Sequence, residues 1–215
     1  MDECLDVVLA GETLRLCADR ALYWPARERL LVADVHLGKD DSFRAAGIAL
    51  PAGGTRNDLE RLTALIDRHG ARSLWVLGDL LHGPRVDTRW REEWARFRAR
   101  HIGLHMLLVE GNHDRAAARA GLDIEHRCEP VDDGRLRFAH TPHEGADSGA
   151  RFTVCGHVHP VVNVPGFRGR FPAFAVTERQ LVLPAFSLFT GGSRVRRAQA
   201  CYACMGSELL DMGPA

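Results

Sequence analysis

The 215-residue sequence has no net charge to offer, because 28 Lys and Arg residues balance 28 Asp and Glu. With no global field of either sign, attraction to a polyanion or an anionic membrane has to come from local groups. Long apolar runs are missing too. Arg, Asp, Gly or Pro interrupts each hydrophobic stretch well short of the ~20 residues that a membrane-crossing helix needs, so no membrane association is expected. The opening MDECLDVVLAGE is acidic and broken by Gly11, unlike a secretory leader. The six cysteines (Cys4, Cys17, Cys128, Cys155, Cys201, Cys204) are too scattered in a chain of this length for a disulfide framework. These absences predict a reduced, cytoplasmic protein. Internal repeats and low-complexity tracts are also lacking.

What is present is enough apolar material, 46% of residues, for one sizeable core, so a single domain over residues 1–215 is expected. Residues 5 to 18 (LDVVLAGETLRLCA) read as two short strands about a turn at Ala10-Gly11-Glu12, and Ala21 to Trp24 as a third that Pro25 stops. The buried run Leu30 to Ala33 then delivers Asp34 and His36. A polar segment from Lys39 to Ala46 has helical character, and a Gly- and Pro-rich loop leads to Thr55 as the expected helix cap. Leu59, Leu62, Leu65 and Ile66 share one helical face, which Gly70 ends. Ser73 to Leu77 and His105 to Val109 are buried strands, separated by an amphipathic helix from Arg89 to Arg100 carrying Trp90, Trp94 and Phe97. That alternation is the rhythm of a sheet wrapped by helices. From Ile124 onward the pattern changes to short strands: Leu136 to Ala139, Phe152 to Cys155, Ala173 to Val176, Gln180 to Leu183 and Val195 to Tyr202. The residues after Ser207 are expected to form a loose tail.

Five strand ends present, in order, Asp34-x-His36, Gly78-Asp79, Gly111-Asn112-His113-Asp114, His140 and Gly156-His157-x-His159. Singly these are ordinary: Asp-x-His arises by chance, Gly-Asp starts turns, and a lone histidine is usually a satisfied one. In this order they resemble the calcineurin-like metallophosphoesterase superfamily, whose pattern is DxH, GD, GNHD or GNHE, H and GHxH. The resemblance implies an α/β fold, the four-layer αββα sandwich of two mixed β-sheets flanked by helices, around a two-metal centre. It further implies that Asp34, His36 and His159 complete one metal, and Asn112, His140 and His157 the other. Two cations ~3.5–4 Å apart can hold both oxygens of an in-line phosphoryl displacement, and they need a shared ligand. Asp79, with two carboxylate oxygens behind Gly78, is the choice for that bridge. Water activated between the cations is the expected nucleophile.

His113 neighbours a ligand but is not one in the family pattern. Its expected role is to give a proton or hydrogen bond to the leaving oxygen, with Asp114 orienting the imidazole and favouring its charged form. For the fourth motif His143 competes with His140, which is preferred because it directly ends the apolar strand LRFA. Oxygen and imidazole without thiolate suits manganese, iron or zinc.

The flanking segments ADVHLGKDDSFRAAGIALPAGGT, GDLLHG, VEGNHD, CGHVHP and LPAFSLFTGG resemble the ligase-associated DNA-damage-response endonucleases. This implies a manganese-dependent phosphodiesterase that cuts DNA, single-stranded by preference, in repair, with a pathway link to an ATP-dependent DNA ligase, a helicase and an exonuclease. Expected substrate contacts are Phe43 and Arg44, able to stack on a base or pair with a phosphate, and His82 and His143, close to ligands in sequence. Two basic clusters, Arg85 to Arg100 and Arg194, Arg196 and Arg197, could track a phosphate backbone, although Glu92 and Glu93 neutralise part of the first. His69, His101, His105 and His126 are expected to carry no chemistry. Cys201 and Cys204, without a second such pair, are expected to pack in a strand. Two other functions compete: a phosphodiesterase or phosphomonoesterase for small molecules, and a non-catalytic scaffold of the same fold, which would predict broken motifs.

Overall fold

Alternation along three strands decides the architecture. In β4 (Arg29–Val32), β5 (Ser73–Leu77) and β6 (His105–Val109) successive side chains point to opposite faces, and both faces are apolar. Leu30, Val32, Leu74, Val76, Met106 and Leu108 enter one core, while Leu31, Trp75, Leu77, Leu107 and Val109 enter another. Strands buried on both sides belong to the parallel interior of a sheet. Accordingly β4, β5 and β6 pair in parallel, Leu30 beside Leu74 and Leu74 beside Met106. The computed structural model describes residues 3–48, 53–82, 89–114, 117, 120–142 and 151–215.

Three antiparallel strands, β1 (Cys4–Leu9), β2 (Glu12–Cys17) and β3 (Ala21–Trp24), precede β4, and β7 (Glu125–Arg127) pairs with β6 at the far edge. Together they make a seven-stranded mixed sheet in sequence order. A nine-stranded mixed sheet faces it. This second sheet holds β8 (Val131–Asp133), β9 (Leu136–Phe138), β10 (Phe152–Cys155), β11 (Pro160–Val162), β12 (Phe171–Val176), β13 (Gln180–Val182), β14 (Ser193–Arg194), β15 (Ala200–Met205) and β16 (Glu208–Gly213). Leu136, Phe138, Val154, Phe174 and Leu181 fill the space between the sheets. On the outer face of the first sheet lie the helices that follow its strands, α1 (Lys39–Ala45), α2 (Gly54–His69) and α3 (Arg89–Arg100). Leu59, Leu62, Leu65 and Ile66 of α2 and Trp90, Trp94 and Phe97 of α3 seal that core. On the second sheet's outer face a smaller cluster forms around Ala173, Ala175, Val182, Cys201 and Ala203. Two mixed sheets with flanking helices form the α/β sandwich that the motif order implied.

The structure corrects three local expectations. Thr55 does not cap α2, which starts at Gly54 behind a left-handed Gly53 (φ 93°). Its hydroxyl instead accepts the Gly38 N–H at 3.0 Å and donates to Asp40 at 3.3 Å, tying the turn after Asp34-x-His36 to the helix. Val195 to Tyr202 is not one strand. Arg197 adopts a left-handed conformation (φ 62°) that breaks the run, so β15 starts at Ala200. The residues after Ser207 are not a tail. Gly206 (φ 64°) turns the chain into β16, which pairs along β15 and buries Leu209 between the sheets. Cys201 and Cys204 are buried strand residues, as expected. His143 and residues 85–88 lie outside the described residues.

Candidate metal centre

The motif residues begin where their strands stop. The ladder between β4 and β5 continues beyond both strands: Asp34 N–H donates to Gly78 O at 3.1 Å, His36 to Asp79 O at 2.9 Å, and Leu37 to Leu80 O at 2.8 Å. In these turns Asp34 (φ 56°), His36 (51°), Asp79 (51°), His157 (68°) and His159 (49°) all take the left-handed conformation. Residues with a Cβ seldom do so, and such strain is found where surrounding structure holds a functional side chain in place.

Three glycines let the strand ends close on one another. A Cβ on Gly78 would stand 2.0 Å from His140 Nδ1, one on Gly111 2.3 Å from Asp79 Oδ1, and one on Gly156 2.4 Å from Ala33 Cβ and 2.7 Å from Asp34 Oδ2. The glycine of each motif thus makes room for another part of the site. Backbone donors complete the joint, His157 N–H to Asp34 Oδ2 and His113 N–H to Asp79 Oδ1, both at 2.9 Å.

Two groups of ligand types result. Asp34, His36 and His159 have ligand atoms within 4.8 Å of one another, and so do Asp79, His140 and His157. In the first, His159 Nε2 is 3.1 Å from Asp34 Oδ1. In the second, His140 Nε2 faces Asn112 Oδ1 and His157 Nδ1, each at 3.0 Å, and Asp79 Oδ1 at 3.6 Å. All seven residues expected as ligands therefore fall into these groups or beside them. Asp34, Asp79 and Asn112 follow strands of the first sheet, whereas His140, His157 and His159 follow strands of the second. Each group draws on both sheets.

The chemistry of the donor set fits cations. His140 donates Nδ1–H to Leu77 O at 3.0 Å, which leaves Nε2 a lone pair aimed at the oxygens of Asn112 and Asp79. Lone pairs converging on one point repel unless a positive centre lies between them. In the first group Asp34 Oδ1, both nitrogens of His36 and His159 Nε2 are buried without a hydrogen-bond partner. Each such atom costs about 1–3 kcal/mol if left so. Burial, with a smaller push from Lys39, brings the His36 imidazole down to about 2. Burial followed by the neighbouring His140 lowers that of His157. Both are then neutral, the form that coordinates metal.

Asp114 departs from expectation. Its carboxylate accepts the N–H groups of Leu81 at 3.0 Å and Gly111 at 2.9 Å, and it makes no bond to the His113 imidazole. It fastens the Gly-Asp and Gly-Asn-His-Asp turns together, and burial raises its carboxyl to about 6. His113 itself is 45% exposed, with Nε2 4.0 Å from Asp79 Oδ2. Phe43 stacks on His82 at 5.9 Å between ring centres, and His82 on His113 at 6.1 Å, so three of the expected residues form a row of stacked rings beside the centre. Arg44 pairs with Asp40 and Asp41 of its own helix. The α3 arginines Arg96, Arg98 and Arg100 pair with Glu92 and Glu93, Asp123, and Asp67.

Sequence reasoning missed Lys39. This half-buried ammonium donates to Thr190 Oγ1 at 2.9 Å; burial lowers its pKa, while Asp34 and Asp79 raise it. Its position directly after the Asp-x-His turn was the available signal. The LPAFSLFTGG segment was noted only as flanking sequence, yet Phe186 N–H donates to Ala33 O at 2.9 Å and Ser187 N–H to Asp34 O at 3.2 Å. Arg20 and Arg61 hold that loop through the carbonyls of Ser187 and Phe186, each at 3.0 Å.

Residues 29–168 match the family model of the calcineurin-like phosphoesterases. Among solved structures, the chain is similar to Pseudomonas putida nuclease MPE, with 36% identity, 97% of this chain and 100% of that one covered, and a TM-score of 0.83. Two others are more remote. The E. coli phosphoesterase Yfce shows 17% identity over 87% of this chain and 99% of its own at a TM-score of 0.47, and the Aquifex aeolicus protein of unknown function AQ665 16% over 64% and 81% at 0.44. No curated protein sequence matches. With the family model matching from β4 to beyond the last motif, the chain belongs to the calcineurin-like phosphoesterase family and is a metal-dependent phosphoesterase.

Proposed function

We propose that this protein is a two-metal phosphodiesterase that cuts DNA internally, single-stranded by preference, in DNA repair. The observation that carries this is its likeness to a nuclease along almost the whole chain, at 36% identity, rather than over the motifs alone. The resemblance of its flanking segments to ligase-associated endonucleases supports the repair setting and the link to ligase, helicase and exonuclease.

In this proposal Asp34, His36 and His159 would hold one cation, Asn112, His140 and His157 would hold the other, and Asp79 would serve both. When bound, two divalent ions, manganese favoured over iron or zinc, supply positive charge to the phosphate and acidify water. The remaining work belongs to the chain. Glycine-permitted packing and strained turns preset the ligand atoms, so little reorganisation accompanies reaction. His113, exposed beside Asp79, gives a proton to the departing oxygen. Lys39, near enough to Asp34 and Asp79 to feel both carboxylates, adds positive charge beside the centre. The row of rings formed by Phe43, His82 and His113 offers a base a face to stack on at its exposed end, an arrangement tolerant of sequence.

The test is cleavage of circular single-stranded DNA, which has no ends to degrade, by metal-stripped protein resupplied with manganese, beside Asp79→Ala. Linearisation by the wild type alone supports the proposal. A surviving circle, with the same preparation hydrolysing a bis-aryl phosphate ester, moves the substrate to small molecules.

A further inference from the structure

A third cluster of metal-binding side chains lies apart from the strand ends. In the β1–β2 hairpin Cys4 stands directly across from Cys17. The neighbouring bond from Ala18 N–H to Glu3 O, 2.9 Å, makes residues 3 and 18 the hydrogen-bonded pair. Cys4 and Cys17 are then the non-hydrogen-bonded pair, in which facing side chains come closest. His69, the last residue of α2, reaches over them. Its Nε2 is 3.4 Å from Cys17 Sγ, and the three ligand atoms lie within 4.8 Å of one another. Stacking on Tyr23, with ring centres 4.8 Å apart and planes 20° apart, holds the imidazole there.

These separations suit a tetrahedral ion. With Zn–S of about 2.3 Å and Zn–N of about 2.0–2.1 Å, sulfur and nitrogen ligands of one zinc stand roughly 3.5 Å from each other. We propose that Cys4, Cys17 and His69 form a further metal site, which takes a thiolate-preferring divalent cation such as zinc and leaves the fourth position to water. The half-buried Cys4 gives access, while Cys17 is fully buried. A hydrogen bond from Cys17 brings the Cys4 thiol down to about 7, with Arg15 and Arg68 adding to the effect, and the same bond raises Cys17. Burial, then Arg15 and Arg68, keeps His69 neutral. Binding forms two metal–sulfur bonds and one metal–nitrogen bond, and the two thiol protons pass to solvent. The bound ion joins the hairpin to the end of α2. Soft sulfur separates this site from the oxygen and imidazole centre and shifts its preference from manganese toward zinc.

The experiment is a Co2+ titration of the reduced, metal-stripped full-length protein, followed in the near-ultraviolet, where only thiolate ligation gives a sulfur-to-cobalt charge-transfer band. The proposal expects a band that rises to a plateau as Co2+ fills the protein's sites, with an amplitude at the plateau matching one thiolate-bound cobalt per chain, and that is bleached by Zn2+. Cys4→Ser should abolish it, His69→Gln should weaken it, and Cys128→Ser, at an exposed cysteine elsewhere, should leave it intact. Cys4→Ser keeps a polar group at a partly exposed position, and circular dichroism verifies its fold. No band in the reduced wild type, or a band that survives Cys4→Ser, overturns the site. Recovery of a Cys4–Cys17 disulfide after air exposure, with no band before it, would make the pair a redox couple instead.

Discussion

His113 shows what a single residue's placement decides. It stands next to a ligand in sequence, yet its ring is exposed and its Nε2 lies 4.0 Å from Asp79 Oδ2, on the approach to the centre. Protonating a leaving oxygen matters for an alkoxide and hardly at all for a nitrophenolate, which is stable as the anion. His113→Ala should therefore lower kcat on an alkyl phosphodiester about 10²-fold or more, within the usual range for general acids, and on a nitrophenyl ester under about tenfold. Equal losses on both would end that role. At this scale the sequence was informative about identity and silent about direction. Taken singly, Asp34, His36, Asp79, Asn112, His140, His157 and His159 are ordinary; it was the order of the five motifs, through the family it resembles, that marked them as expected ligands. Nothing in the letters said that the Asp114 oxygens turn toward the Leu81 and Gly111 amides, because side-chain direction follows from a turn whose geometry was still unknown. Cys4 and Cys17 were closer to legible: counting outward from the turn at Gly11 pairs them, and only His69 had to come from elsewhere.

Among the elements, α2 carries a buried charge. Asp58 faces Arg61, whose guanidinium holds the Phe186 carbonyl, and burial, opposed by Arg61, raises the Asp58 carboxyl to about 6. The unfolded value is about 3.9. Between those values the folded state keeps a proton that the unfolded chain has lost, so this group's contribution to stability falls as pH rises from about 4 to about 6. Asp58→Asn removes that dependence. In urea titrations of the metal-free protein, the variant should gain on the order of 2 kcal/mol over the wild type between pH 4 and pH 7; a constant difference across that range would show that Asp58 is not the titrating group. Periodicity exposed this helix and α3, because an apolar face repeats over several turns. It did not expose β7, β8 and β11, because EHR and VDD are mostly polar or charged and PVV opens on a proline.

For the whole molecule, the C-terminal hairpin is structural. Leu209 is buried between the sheets, β16 completes β15, and Ala215 exchanges backbone bonds with Ala198 at 2.8 and 3.0 Å. A chain stopped at Ser207 should lose roughly 2–4 kcal/mol, since burying one leucine contributes about 1.5–3 kcal/mol and an edge is left unpaired; an unchanged urea midpoint would show the hairpin to be dispensable. Its sequence looked like a tail because the two leucines of Glu208–Gly213 stand side by side rather than alternating. The sandwich itself was more legible: the alternation of strands and helices pointed to a sheet wrapped by helices, and the second facing sheet followed from the family that the five motifs resemble.

The candidate centre takes its side chains from both sheets, in each of its two groups. A cation bound there would act as a rivet through the seam of the sandwich, fixing one sheet to the other at one rim. Stripping the metals then does more than silence a catalyst. It loosens a fastening, and the molecule should yield to sliding force first along the rim where the chemistry takes place.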